Sequence, residues 1–109
     1  MSKVKSFKMV GGDEIVTEVI EEISNSSSVS DGLFTSTVAT YVVRRPHILQ
    51  FQQVAPGQLG LAFVPWTLSN PGIERLEIPA SAVLVSFDPA DKVERQYLEQ
   101  TSGISLSRV

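Results

Sequence analysis

The chain has 109 residues, 42% of them hydrophobic and 19% charged, with a formal charge of -3 and a pI near 5.0. A length of this order builds one domain, here spanning 1–109, with a single real core. The acidic balance excludes a global attraction to nucleic acid or to anionic membranes, so any anion site must be local. The absence of cysteine removes disulfides, thiolate metal sites and cysteine nucleophiles together. No run approaches the roughly 20 apolar residues of a spanning helix, and no apolar h-region follows the N-terminal lysines. The expectation is a soluble, cytoplasmic protein with no membrane partner.

In chain order, SFKMVGGDEIVTEVIEEI places two Val/Ile/Phe-rich runs around GGDE, whose glycines supply the positive φ of a tight hairpin turn. Glu18, Glu21 and Glu22 crowd the far end of the second run, which is therefore solvated. NSSSVSDG, Asn25 to Gly32, has the small polar composition of a hairpin loop. From Leu33 the chain is β-branched or aromatic almost without a break through Val43. Pro46 is then expected to stop regular pairing, because it offers no N–H and pushes Arg45 toward an extended conformation.

ILQFQQV and LGLAFVPW follow as apolar runs separated by the turn APGQLG, and TLSNPG makes the next loop. IERLEIPASAVLVSF holds two short strands, one with Ile73, Leu76 and Ile78, the other with Val83, Val85 and Phe87, joined by the minimal link PASA. DPADKVERQYLEQTSG reads as the one helix, over about residues 89–101: Asp88 as N-cap, Pro89 at the first position and Gly103 past the end. Ala90, Val93 and Tyr97 share a face that should lie on the sheet. The strands, over about residues 5–87, lie at short spacing without a parallel crossover. The expected class is mainly β: a strongly bent five-stranded antiparallel sheet or small open barrel with a C-terminal helix.

Catalytic chemistry finds little support. One histidine leaves a Ser–His–Asp arrangement open, but no GxSxG elbow supports it, so no enzyme and no catalytic residue is expected. A single histidine without cysteine or an acidic calcium-type loop gives no metal site, and no cofactor is implied. The adjacent Glu21 and Glu22 point to opposite strand faces, and Asp88 and Asp91 are explained by helix capping. The distinctive cluster is RRPH. Arg44, Arg45 and His47 either form a solvated bend, paired with the glutamates of the preceding strand, or gather around Pro46 as a site for phosphate and bases. Trp66 reads as a core or subunit-interface anchor.

FKMVGGDEIVTEVIEEI resembles the first Sm motif, in which a glycine turn joins the first two strands, and LEIPASAVLVSFDP is similar to the second, in which the last two strands meet at a tight loop. The run of GGDEIVTEV, RRPHIL, FVPW, IPASAVLV, DP and a helix containing Tyr97 resembles the Sm/LSm/Hfq family, and within it the small phage-encoded Sm-like proteins of marine cyanophage type. The resemblance covers about residues 5–100. It departs in lacking the family's Asp and Asn before the third strand, where RRPH sits, in carrying Pro79-Ala80-Ser81 for Arg-Gly, and in its terminal helix being C-terminal.

The resemblance implies a homo-oligomeric ring of about five to seven subunits binding single-stranded RNA, with possible control of translation or RNA stability in the host cytoplasm. In that reading Arg44, Arg45 and His47 are the nucleic-acid contacts, multiplied by the ring into avidity. The alternative is a phage structural or adaptor ring that binds no nucleic acid.

Overall fold

The computed structural model describes residues 3–28 and 34–102. It is mainly β, with β1 (Lys3–Met9), β2 (Glu14–Ser28), β3 (Phe34–Ala55), β4 (Gln58–Pro65) and β5 (Leu76–Pro79). A 3₁₀ turn (Ala80–Ala82), β6 (Val83–Phe87) and helix α1 (Asp91–Ser102) follow. All pairings are antiparallel, and the strands form one open sheet in the order β4-β3-β2-β1-β6, with β5 also on β3.

The sheet has six strands rather than five because its border along β3 is broken in two. β4 pairs with the second half of β3, from His47 to Ala55, and β5 pairs with Thr40 to Val43. The interval between them coincides with the RRP sequence, where β3 changes direction. Both ends of the intervening loop are tied to that bend: Trp66 N–H donates to Pro46 O at 2.9 Å, and Arg45 N–H donates to Ile73 O at 2.8 Å. Ile73 thus belongs to the loop and not to a strand.

Alternation along β1 and β2 buries both faces of the sheet. Phe7, Met9, Ile15 and Val19 meet Val43 and Ile78 in one core cluster, onto which Tyr41, Trp66, Leu76 and Val83 pack. Val4 and Val16 point the other way and meet Phe63 and Tyr97, with Leu49 and Val93 alongside. The sheet therefore curls over one face, where its own late strands close the core, and α1 covers the other. The 3₁₀ link is what allows β5, at one border, to be followed within three residues by β6 at the opposite border.

Three local expectations are corrected. Asn25–Ser28 continue β2 and pair with Phe34–Thr37, because a hairpin partner supplies the backbone bonds that serine side chains do not encourage; Val29 to Leu33 lie outside the described residues. Pairing does not end at Pro46: His47 is matched with Val16 on one side and Pro65 on the other, since the missing N–H falls inside a register shift of the β2–β3 ladder. The helix begins at Asp91, and the first-turn bond runs from Glu94 N–H to Ala90 O at 3.0 Å. Asp88 is not its cap but the partner of Lys5 at 3.0 Å and Lys3 at 3.4 Å; these lysines hold its carboxyl below the usual carboxylate range. Gly103 lies outside the described residues.

The first hairpin turn requires glycine at one position only. Gly12 has φ +106°, whereas Gly11 has an ordinary backbone, and no atom would meet an added Cβ within 4 Å at either. Any penalty is then purely conformational. Gly12→Ala should destabilise the fold by about 1–3 kcal/mol and Gly11→Ala by less than about 0.5 kcal/mol, as measured by urea unfolding.

Candidate functional site

RRPH forms the bend of β3, and its backbone is held before its side chains do anything. Arg45 is the one non-glycine residue with positive φ, 51°, among those described. An L-residue in the left-handed region needs compensation, and the compensation is a set of hydrogen bonds to the carbonyls on either side of the Arg44–Arg45 step. Thr17 Oγ1 of β2 donates to Arg44 O at 2.9 Å. The Tyr97 hydroxyl of α1 donates to Arg45 O at 2.8 Å, with Arg44 O also within 3.2 Å. His47 Nδ1 lies 2.8 Å from Arg45 O. A carbonyl only accepts, so His47 carries a proton on Nδ1.

The side chains of the cluster are also engaged. The Arg44 guanidinium makes two parallel bonds to Glu18, 2.8 Å from Nε to Oε1 and 2.7 Å from Nη2 to Oε2. This is the planar fork geometry that suits arginine to carboxylate; it raises the arginine's pKa further, chiefly through the hydrogen bond to Glu18. Arg45 takes different partners, reaching Glu74 at 3.0 and 3.3 Å and donating to Thr101 O at the end of α1 at 2.8 Å. Glu74 is largely exposed, so that ion pair adds little. Pro46 and His47 are buried, and the imidazole meets the Tyr97 ring edge-on with centroids 5.8 Å apart.

The sequence-predicted residues Arg44, Arg45 and His47 are thus adjacent but not convergent. Their guanidinium groups diverge to two different glutamates, and the imidazole faces the helix. Glu18, Thr17, Glu74 and Tyr97 complete the cluster and were not singled out as part of it from sequence. Glu18 had a signal, standing among the glutamates named as arginine partners. Tyr97 also had one, since it lies on the helix face expected to meet the sheet. Glu74 and Thr17 had none, because Thr17 reaches the bend only through the pairing of β2 with β3 and Glu74 only through the loop after β4, both distant in the chain. Trp66 packs on the first core cluster and donates from Nε1 to Asp13 at 3.3 Å, tying the loop to the first hairpin.

Among the described residues no group of three or more His, Asp or Glu side chains is placed to hold a metal ion, and no helix is long and apolar enough to cross a membrane. The chain matches no known family model and no curated protein.

Burial raises the Tyr97 phenol well above its ordinary value, with the Glu18 charge as the next cause. A phenol whose folded pKa exceeds its unfolded one stabilises the fold fully below the unfolded value of about 10 and loses that contribution as pH rises beyond it. Tyr97→Phe leaves Thr17 and His47 on the two carbonyls, so it should cost only about 0.5–1.5 kcal/mol at pH 8. The decline in stability above pH 10 should be shallower in the variant than in the wild type, in denaturant unfolding followed across pH.

Proposed function

We propose that this chain is a self-assembly module, an Sm-like sheet that associates head to tail through its two open borders into a homo-oligomeric ring serving as a structural or adaptor element. The observation that carries this reading is β6. It pairs with β1 on one side only, and it is a border strand, VLVSF, with no charge and no proline. Leu84, Val85 and Phe87 are all exposed on it, and Val10 is exposed nearby in the first hairpin turn. Isolated folds guard such borders with lysines or prolines, because unpaired N–H and C=O groups beside apolar side chains invite another strand; β6 has neither, and its one irregularity is the register shift between Val83 and Val85 opposite Met9 and Lys8.

The opposite border, made of β4 and β5, is likewise open beyond β3. A β6 strand docked on that border of a second copy satisfies both ladders, and the contact is heterologous, so repetition closes a ring when the rotation permits. The bend at Arg44–His47 supports this by setting the angle between the two halves of the border.

The RNA-binding reading of the same ring is the second form of this proposal. It has weaker support, because Arg44 and Arg45 are each spent on a glutamate and would have to exchange that partner for phosphate. Arg44→Ala removes both parallel bonds to the mostly buried Glu18 carboxylate and should cost about 1–3 kcal/mol of stability, beyond any effect on a ligand.

Size-exclusion chromatography with light scattering tests the reading. The wild type should elute as a multiple of the 11.9 kDa chain, with a mass that changes little between low and high salt. Leu84→Lys/Val85→Lys should lose that assembly while keeping its β-rich circular dichroism. A wild-type monomer contradicts the proposal. Single-stranded RNA that co-elutes at low salt and is released at high salt would favour the RNA-binding form.

A further inference from the structure

From Ile48 to Ile73 the chain carries no charged side chain. This stretch includes the hairpin of late β3 and β4. The pairing Leu49↔Phe63, Phe51↔Leu61 and Gln53↔Leu59 sets one face of that hairpin, since cross-strand partners and alternate residues share a face. Helix α1 covers the inner part: Leu49 and Phe63 pack with Tyr97 and Val93, and Gln100 Nε2 donates to Phe63 O at 2.8 Å. Beyond that point the same apolar face runs on uncovered, with Phe51 73% and Leu59 71% exposed. A phenylalanine and a leucine this open, on a face continuous with a core, mark a contact surface.

We infer that this hairpin face is a contact between two copies of the chain, meeting across a two-fold axis. The argument is electrostatic. Each copy carries a formal charge of -3, so copies repel wherever their charged surfaces meet, and a two-fold contact sets each patch against itself. The uncharged hairpin meets its own image without like charges and with Phe51, Leu59 and Leu61 on both sides. An anionic membrane is a poor occupant, because the hairpin carries no cation to draw it there. This contact is separate from the strand borders: those use backbone groups in the plane of the sheet, whereas these side chains stand perpendicular to it.

The test is light scattering on the full chain for Phe51→Glu/Leu59→Glu, for the milder Phe51→Gln/Leu59→Gln, and for the border variant Leu84→Lys/Val85→Lys. Both hairpin variants should halve the wild-type mass with unchanged circular dichroism. The border variant should leave a pair of chains, and the border and Glu substitutions combined should give the monomer. If the border reading fails but this one holds, the wild type is itself a pair and only the hairpin variants split it. Wild-type mass in both hairpin variants overturns the inference. In that event, lost flotation with phosphatidylcholine vesicles would assign the face to a membrane, and a lowered melting temperature would assign it to cover within the chain itself.

Discussion

The fold turns on one step of backbone, Arg44–Arg45, where the longest strand bends through a left-handed residue. Three side chains from three elements, Thr17 of β2, His47 of β3 and Tyr97 of α1, converge on the two carbonyls of that step. Their bonds fix the bend and the seat of the helix together, while backbone bonds from Trp66 to Pro46 and from Arg45 to Ile73 tie the loop after β4 to the same bend. A proline follows at Pro46, where a lost N–H costs least, because the ladder is already out of register there. The strained φ at Arg45 is held in place by this surrounding structure rather than by any preference of arginine.

The bend decides what faces outward. By dividing the border of β3 it separates β4 from β5, and by letting the sheet curl it brings β5 and β6 to opposite borders across a three-residue link. Both faces of the central strands are then consumed, one by the curl and one by α1. Left unpaired are the sheet borders, of which β4 and β6 carry no charge while β5 exposes Glu77, and the far end of the β3–β4 hairpin is apolar and uncharged. The arginines that looked like the reactive part of the sequence are occupied within the chain.

Much of this was legible in the residues. The glycine turn, the Val/Ile/Phe-rich runs of β1 and β2, the minimal PASA link and the helix face with Val93 and Tyr97 are local signals, and local signals specify local structure. The extension of β2 into Asn25–Ser28 was not legible, because a serine tract becomes a strand only when its partner strand arrives. The start of the helix was misplaced because Asp88 satisfies two rules at once, capping by type and ion pairing by position, and the lysines of β1 that decide between them are distant in sequence. The same holds for the bend: Arg44 and Arg45 advertise an anion site, and Glu18, brought in by the pairing of β2 with β3, and Glu74, brought in by the loop after β4, neutralise it.

Residue-resolved hydrogen exchange across a range of protein concentrations, with and without single-stranded RNA, tests the central claim most directly: that the bend is internally committed and the borders are the interacting part. The account predicts strong protection at Arg45, whose N–H is bonded to Ile73 O, at every concentration and unchanged by RNA. Amides of Val83–Phe87 should gain protection as concentration rises. Free exchange along Val83–Phe87 at all concentrations, together with RNA-dependent slowing from Arg44 to Ile48, would contradict it.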